Sequence, residues 1–231
     1  MNIFALNIRQ GGGKRLSALL ERLPDVDALV LSEYRDSENG KLVRRHLHNA
    51  GFDSIAFMQG SVRNGVLVAV KGEGTAAALG SHACMIDFRG LRLCGVYMPQ
   101  KEAKRPVYEM IMRDYADGAR ETIMIGDFNT GRADLDISEK RRFYCVDMFA
   151  QLEERMVEAW RHLHPEAREY SWYSRAHKTG LEIGWRIDHA FLSPSLVSRL
   201  RTCEYDHRFR TTPGLTDHSG MLLELEDSDS S

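Results

Sequence analysis

The 231-residue sequence predicts an α/β fold in which mixed β-sheets pack in layers. Two observations predict this class. Predicted strands outnumber predicted helices, and some strands follow one another directly, so a strictly alternating β–α–β wind is disfavoured. Hydrophobic residues make up 43% and charged residues 28% of the chain, as in ordinary globular proteins with a sizeable core.

Hydrophobic periodicity predicts the elements in chain order. Alternation or short apolar runs predict strands over residues 2–7, 28–31, 52–58, 66–70, 91–96 and 122–125, and late strands around residues 172, 186–192 and 221–225. Helical spacing predicts helices over residues 14–23, 42–50 and 107–116, and one or two helices within residues 143–160. With no repeat or linker, we predict one domain over residues 1–225 and a disordered acidic tail over residues 226–231.

The net charge and the cysteine content limit the classes of function that are compatible with the sequence. The net charge of −2 disfavours a basic nucleic-acid coat protein, so any binding of a polyanion must be local. Basic residues do cluster in segments that resemble loops, including those around Arg9, Lys101 and Arg175, although a single cluster is more often solvated surface. The four scattered cysteines, the absence of a long apolar run and the N-terminal sequence predict a cytoplasmic protein without a membrane span. No obligate protein partner is evident.

Polar side chains that handle metals or phosphates follow one predicted strand after another. They are Asn7, Glu33, Tyr97, Asp127, Asn129, Asp188 and the pair Asp217 and His218. Most of them, taken singly, are equally typical of caps, turns or solvated surface. Asp188 is harder to explain in that way, because a carboxylate inside an apolar strand needs a partner. Their ordered recurrence favours one site.

The chemistry of this set is consistent with phosphate ester hydrolysis. Glu33 offers a carboxylate oxygen of the kind that Mg²⁺ prefers. Asp188 can hold His218 in one tautomer and favour its charged form, which stabilises charge on an attacked phosphate. Asp127 can deprotonate a water. The amides of Asn7 and Asn129 and the hydroxyl of Tyr97 can hydrogen-bond phosphate oxygens. Together these groups can carry out metal-assisted hydrolysis of a phosphate ester.

The stretch IGDFNTG, residues 125–131, is expected to lie at the centre of this site. Asp127 and Asn129, two residues apart on an extended chain, are predicted to point to the same side. Phe128 is predicted to face the core, and Gly126 to give the backbone room beside the site.

The motifs IGDFN, GWRIDHAFLS and LTDHSG, in this order, resemble those of the exonuclease–endonuclease–phosphatase superfamily. The resemblance runs from Asn7 to Ser219. Within the superfamily, GVYMPQ, VEAWRHLHPEAREYSWYS, GWRIDHAFLSPSL and RADLDIS resemble exonuclease III and the related abasic-site endonucleases. The resemblance implies a four-layer sandwich of two mixed β-sheets flanked by helices, like deoxyribonuclease I. It also implies a DNA nuclease with abasic-site endonuclease activity, 3′-5′ exonuclease activity or both, dependent on Mg²⁺ or Mn²⁺.

The same resemblance implies a role for each site residue. Asn7 and Glu33 would lie at the metal, with Asp217 near the metal or the leaving group. Asp127 would orient or activate the water. The phosphate would be contacted by Asn129, Tyr97 and His218, the last oriented by Asp188. Trp172 and Trp185 would flank an abasic-site pocket, although a core position is equally open. Arg9 and Arg175 are predicted to bind substrate.

The sequence departs from the family pattern in ways that bear on the substrate. Arg9 stands where a second polar metal-site residue is usual, Gly11 to Gly13 replace a Leu-Arg, and Ser32 precedes Glu33 in place of Gln. The interval between Glu33 and Tyr97 is short. Together with the low positive charge, these departures favour an alternative substrate for the same chemistry: RNA, a lipid headgroup or a small phosphoester. A non-catalytic binding module has only the change at Arg9 in its favour.

Overall fold

Two six-stranded sheets face each other in the computed structural model, which describes residues 1–61, 63–117, 120–139, 142–174, 182–212 and 215–227. The strands are β1 (Asn2–Asn7), β2 (Ala28–Tyr34), β3 (Ser54–Phe57), β4 (Gly65–Val70), β5 (Thr75–Gly80), β6 (Ala83–Phe88), β7 (Leu91–Tyr97), β8 (Thr122–Asp127), β9 (Val157–Glu158), β10 (Trp172–Tyr173), β11 (Gly184–Trp185), β12 (Asp188–Leu192), β13 (Leu200–Asp206) and β14 (Gly220–Leu225). The first sheet has the order β13-β14-β1-β2-β4-β3, and the second has the order β5-β6-β7-β8-β12-β9. Strands β10 and β11 form a separate pair.

Helices cover the outer faces of the sheets. They are α1 (Leu16–Leu20), α2 (Glu38–Asn49), α3 (Arg105–Asp117), α4 (Val146–Glu153), α5 (Ala159–Leu163) and α6 (Arg208–Thr211), with 3-10 turns over Gln10–Arg15, Lys101–Lys104 and Pro194–Arg199. One apolar cluster, which includes Val30, Ile86 and Ile125, fills the space between the sheets. Others join a sheet to α1 and α2 or to α3 and α4. The predicted four-layer sandwich is therefore confirmed.

The predicted strands over residues 2–7, 66–70, 91–96, 122–125 and 221–225 are confirmed to within two residues at their ends. The predicted strand over residues 28–31 continues to Tyr34, through an irregularity in its pairing with β4 at Glu33. Strands β5, β6 and β13 were not predicted. Strand β5 is an exposed alanine-rich edge, which lacks the alternation that identifies a half-buried strand.

Two helix predictions need correction. The helix predicted over residues 14–23 is shortened to α1. Lys14 and Arg15 belong instead to the 3-10 turn that contains the positive-φ residues Gly11, Gly12 and Gly13, and the helix ends at Leu20. Residues 143–160 contain α4 and the start of α5, but β9 lies between them and pairs with β12. Cys145, with φ of 57°, precedes α4, so the helix cannot begin at residue 143.

The two ends of the chain meet on one edge. The Met1 carbonyl accepts a hydrogen bond from the Leu225 backbone nitrogen at 2.9 Å, and the Met1 ammonium group lies 3.1 Å from Asp227. Glu226 donates its backbone N–H to the Arg199 carbonyl at 2.8 Å, and the disorder predicted for residues 226–231 stays a prediction. Residues 228–231 of the predicted tail lie outside the described residues. No helix in the described ranges is long and apolar enough to cross a bilayer.

Candidate active site

Neighbouring strand ends meet at one edge of the sandwich. Parallel β1 and β2 pair Asn7 with Ser32, and parallel β7 and β8 pair Tyr97 with Asp127. Antiparallel β12 places Asp188 opposite Asp127. Because parallel neighbours end at the same edge, the strand register itself brings these polar residues together.

Gly126 makes the close approach of β7 and β8 possible. Its φ is 144°, and a Cβ atom added there would lie 2.1 Å from the Val96 carbonyl oxygen. A side chain at this position would therefore push apart the two strands that carry Tyr97 and Asp127.

Asp127 is 1% exposed and accepts three hydrogen bonds through its carboxylate. Oδ1 accepts from the Asn129 backbone nitrogen at 2.9 Å, and Oδ2 accepts from Asn7 Nδ2 at 2.9 Å and Asn129 Nδ2 at 3.2 Å. Burial and the charge of Asp188 raise the pKa of Asp127 to about 7, although His218 and the hydrogen bonds oppose the rise. The carboxyl group therefore changes its charge in the neutral range.

Asn129 lies beside Asp127, but on a turn rather than on the extended chain that the sequence predicted. Its φ is 50°, and Lys104 Nζ donates to its backbone carbonyl. The side-chain Nδ2 also donates to the Met98 carbonyl at 2.8 Å, and Oδ1 accepts from Gln100 Nε2 at 2.8 Å. The Asn129 amide is thus engaged within the protein and orients Asp127. The prediction that Phe128 faces the core is confirmed.

His218 and Asp188 form a buried pair. Thr216 Oγ1 donates to the Asn7 carbonyl at 2.7 Å, which ties the loop that carries His218 to the end of β1. The imidazole Nδ1 lies 2.9 Å from Asp188 Oδ2. Burial disfavours the imidazolium, but the charge of Asp188 and its hydrogen bond outweigh this and raise the pKa of His218 to about 10. His218 is therefore a buried cation at neutral pH.

Glu33 lies where β2 becomes irregular, with φ of 59°. Its carboxylate accepts from Asn7 Nδ2 at 3.2 Å, the Gln10 backbone nitrogen at 2.6 Å and Asn64 Nδ2 at 2.9 Å. Since a carboxylate offers about four acceptor positions, one position stays available for a ligand.

Tyr97 ends β7 beside Glu33. Asn64 Nδ2 lies 3.5 Å from the Tyr97 hydroxyl oxygen, and the His82 ring packs on the tyrosine at 5.7 Å between centroids. Burial raises the pKa of Tyr97 to about 12, so its hydroxyl keeps its proton at neutral pH. Asn64 approaches the oxygen as a donor, which leaves the hydroxyl proton free to donate.

Asp217 and Arg9 lie at the margin of the site and face each other. Arg9 Nε is 3.7 Å from Asp217 Oδ2, and both side chains are about one-third exposed, at 30% and 38%. Trp172 Nε1 donates to the same carboxylate oxygen at 3.3 Å. The negative charge of Asp217 is therefore already compensated within the protein.

A cavity of about 370 Å³ opens beside these groups. Phe143, Trp172, Trp185 and Ile187 line its apolar side, and Trp185 packs edge-on against Phe143 at 4.9 Å. Both tryptophans are half-buried, so they belong to the wall of the cavity rather than to the fully buried core. Two larger clefts, of about 480 and 670 Å³, lie away from the polar strand ends and contain none of the predicted site residues.

The sequence did not predict two features of the site. Asn64 reaches it from a loop, where no periodic signal marks it. The other is a buried charge cluster behind the site, formed by Asp136, Glu158, Arg161, Arg186 and His189. Lys104, from the basic cluster around Lys101, reaches the site from a 3-10 turn, and burial lowers its pKa to about 8. Arg175, predicted to bind substrate, lies outside the described residues.

The donor set favours one metal position over another. Asp127, Asp188 and His218 bring one donor atom each within 4.8 Å of one another. An imidazolium has no lone pair for a metal, so this position would require His218 to lose its proton. Glu33 instead offers a hard oxygen donor with spare acceptor capacity, which suits Mg²⁺. Asn7 turns its amide nitrogen toward Glu33 and Asp127, and its Oδ1 accepts from the Arg9 backbone nitrogen at 2.9 Å.

Comparison with known proteins agrees with this fold and shows the family. The sequence model of the "Endonuclease/Exonuclease/phosphatase family" matches residues 4–218. Among solved structures, an AP endonuclease from Archaeoglobus fulgidus is similar, with a TM-score of 0.82, 22% identity and coverage of 98% of this chain and 99% of that one.

Two structures from Neisseria are similar to the same degree. One is a 3′ phosphatase bound to a product DNA hairpin, with a TM-score of 0.82, 21% identity and coverage of 98% of this chain and 99% of that one. The other is a 3′-5′ exonuclease from Neisseria meningitidis, with a TM-score of 0.80, 21% identity and coverage of 98% and 100%. At such identities the likeness establishes the fold.

Proposed function

The chain belongs to the endonuclease/exonuclease/phosphatase family and is a hydrolase, and we propose that it is a Mg²⁺-dependent phosphodiesterase acting on DNA. The proposed reaction is incision at abasic sites, removal of 3′ nucleotides or both. One observation carries the proposal: a buried carboxylate, a buried imidazolium and a carboxylate with spare acceptor capacity converge beside an aromatic-walled cavity.

Asp127 is the proposed general base. Its hydrogen bonds from Asn7 and Asn129 fix the carboxylate plane, and its pKa of about 7 matches the operating pH at which a base is most effective. A water held by Asp127 attacks the phosphorus in line with the leaving oxygen, and its proton passes to the carboxylate. The bond from phosphorus to the leaving oxygen breaks, and that oxygen takes a proton from solvent.

His218 and Tyr97 are the proposed donors to the phosphate. The imidazolium, held by Asp188, places its positive charge where negative charge develops on the phosphate oxygens. The Tyr97 hydroxyl donates a second hydrogen bond from the neighbouring strand end. Both groups are preorganised, since each is fixed by the sheet register or by a buried partner.

Glu33 is the proposed metal ligand, with Asn7 orienting its carboxylate. Bound there, Mg²⁺ supplies Lewis-acid stabilisation of the charge on the phosphate. We propose that Asp217, which pairs with Arg9, lies at the edge of the metal position. Arg9 is proposed to face the substrate.

The choice of DNA rests on the cavity wall and on the similar structures. Phe143, Trp172 and Trp185 offer flat apolar surface of a size that suits a deoxyribose or base beside the scissile phosphate. The basic side chains of Lys101, Lys104 and Arg142 line the same cavity. The similar proteins are named for action on abasic sites and 3′ ends.

The net charge of −2 favours a second candidate, a phosphatase or phosphodiesterase that acts on RNA, a lipid headgroup or a small phosphoester. Four substrates separate the two: an abasic-site duplex, a duplex with a 3′ end to trim, an RNA strand and bis(p-nitrophenyl) phosphate. We expect Mg²⁺-dependent cleavage of a DNA duplex, abolished by EDTA, and a steep loss of binding as salt rises. Turnover of the small ester alone, indifferent to salt, would contradict the DNA proposal.

The proposed roles predict a pH profile. Activity requires Asp127 to be ionised and His218 to be protonated, so kcat should rise around pH 7 and fall around pH 10, with both limbs belonging to the coupled pair. Asp188→Asn should move both limbs to lower pH, because it removes the like charge beside Asp127 and the partner of His218. Single-turnover rates across this range measure both limbs. An alkaline limb that stays in place would show that Asp188 does not set the charge of His218.

A further inference from the structure

Asn64 joins two parts of the proposed site that no strand register connects. It precedes β4 on the first sheet, yet its Nδ2 lies 2.9 Å from Glu33 Oε2 and 3.5 Å from the hydroxyl oxygen of Tyr97, which belongs to the second sheet. One amide thus faces both the proposed metal ligand and a proposed phosphate donor. Since Glu33 has a strained backbone with φ of 59°, its direction depends on such contacts.

Arg35 fixes which end of the Asn64 amide faces the site. Its Nε donates to Asn64 Oδ1 at 2.6 Å, so the amide oxygen points to the guanidinium and the NH₂ group points to Glu33 and Tyr97. With the amide reversed, Oδ1 would face the Glu33 carboxylate, and two acceptors would meet. A guanidinium cannot accept a hydrogen bond, so Arg35 permits only the orientation that serves the site.

Arg35 is itself held against the glycine-rich loop. Its side-chain carbons lie 3.6–3.7 Å from the position that a Cβ atom on Gly11 would occupy. Asn39 Nδ2 donates to the Gly11 and Gly13 carbonyls at 3.3 and 3.2 Å, and the same loop presents the Gln10 backbone N–H to Glu33. Gln10 of this loop and Asn64 therefore both donate a hydrogen bond to the same oxygen, Glu33 Oε2.

We propose that Asn64, oriented by Arg35, is a positioning residue that directs the Glu33 carboxylate and the Tyr97 hydroxyl at the same phosphate and metal position. The inference rests on the proposed function, because it assigns the metal to Glu33. It adds a residue pair that the motifs do not contain. It also gives the altered loop over residues 9–13 a role in holding the metal ligand.

The test is Asn64→Leu, which keeps the approximate size of the side chain and removes both amide N–H groups. Loss of a hydrogen bond to a metal ligand typically lowers metal affinity about 10- to 100-fold. We expect a loss of this size in Mn²⁺ affinity, measured by calorimetry on the metal-free protein, together with a fall in kcat. Arg63→Ala, at an exposed neighbouring residue, is the matched control and should leave the Mn²⁺ affinity unchanged.

Arg35→Met tests the orientation step. It should weaken Mn²⁺ binding in the same direction but by less, since Asn64 remains and only its orientation is freed. Combined with Asn64→Leu it should add little further loss, because Arg35 acts through Asn64. Additive losses would contradict this coupling. Arg35→Met also keeps the proposal testable if Asn64→Leu lowers the melting temperature sharply.

The outcomes separate the two levels of the proposal. Wild-type protein that binds no Mn²⁺ and cleaves no phosphoester would overturn the proposed function. Wild-type protein that binds Mn²⁺ and is active, with Asn64→Leu folded and binding Mn²⁺ within about twofold of wild type, would overturn the positioning role alone.

Discussion

Asp127→Asn is expected to lower kcat about 10²- to 10⁴-fold at pH 8 with saturating Mg²⁺, the range typical for loss of a general base. The substitution keeps the shape of the side chain and the hydrogen bond from the Asn129 backbone nitrogen to Oδ1. It removes the proton acceptor for the attacking water. It also places an NH₂ group where Asn7 and Asn129 now donate to Oδ2. Steady-state rates on the preferred duplex measure the effect.

Stability should respond to this substitution in a pH-dependent manner. The folded-state pKa of Asp127 is raised from 3.8 to about 7, so the folded protein binds the proton more tightly than the unfolded chain does. The free energy of unfolding that this group contributes is therefore fully present below about pH 4 and is lost as the pH rises to about 7. Asparagine does not titrate. The stability of Asp127→Asn relative to wild type should thus increase between pH 4 and pH 7, whatever constant penalty its lost hydrogen bonds impose.

Asp134→Asn is the matched control for the activity measurement, since Asp134 is exposed on the loop that follows Asn129. It removes a carboxylate of the same kind outside the proposed site, and kcat should not change. If Asp127→Asn retained most of the wild-type kcat, the water would have to be activated by another group, and Asp127 would be reduced to a structural carboxyl.

The site residues that lie at the ends of strands could be predicted from the sequence. Asn7 ends a predicted strand, and Tyr97 and Asp127 closely follow predicted strands. Parallel pairing brings such strand ends to one edge of a sheet without further information. Asn64 could not be found in this way, because its place depends on the irregular pairing of β2 with β4 at Glu33. The positive φ of Asn129 was also missed, although asparagine adopts it more readily than most residues. The contacts of Asn129 with Lys104 and Gln100 could not be predicted, because these residues approach from another segment.

Secondary-structure elements with strong apolar periodicity were predicted. Elements that depend on contacts with distant segments of the chain were missed. Strand β13 alternates buried and less buried residues only from Cys203 onward, because an irregularity between Leu200 and Thr202 interrupts its period of two. Strand β9 has two residues and exists only through its pairing with β12. The charge cluster behind the site joins segments that are distant in sequence, and nothing local at Asp136 or Arg161 indicates that either is buried.

Arg186→Met is expected to lower the free energy of unfolding by about 3–5 kcal/mol, the range found when one partner of a buried ion pair is removed. Arg186 is fully buried and forms two hydrogen bonds to Asp136, at 2.8 and 3.1 Å, and one to Glu158 at 2.7 Å. Methionine fills a similar volume but leaves both buried carboxylates short of a donor. Asp136 keeps its bond of 2.7 Å from Arg161 and Glu158 keeps His189 Nδ1 at 3.1 Å, but each carboxylate loses its contact with the Arg186 guanidinium. Urea unfolding at pH 7 measures the loss.

Arg105→Met provides the control, because the two-pronged contact of Arg105 with Asp147 resembles that of Arg186 with Asp136 but is exposed. Arg105 makes a two-pronged contact with Asp147 at 2.8 and 3.1 Å, but the side chains are 41% and 53% exposed. Solvent screens such a pair, and its loss should change the unfolding midpoint little. Similar midpoint shifts for the two variants would show that burial does not strengthen the dependence on Arg186.

Acidification should reduce the difference in the free energy of unfolding between Arg186→Met and the wild type. Burial alone would raise the pKa of Glu158, but Arg186 and His189 outweigh it and hold the pKa at about 2, below the ordinary 4.5. The stability contributed by this depressed pKa is present above about pH 4.5 and is lost as the pH falls toward 2. Without Arg186 the pKa of Glu158 rises, so the variant has less of this contribution to lose on acidification. Because Arg186 lies between the cavity wall at Trp185 and the histidine partner Asp188, the same loss should loosen both sides of the proposed site.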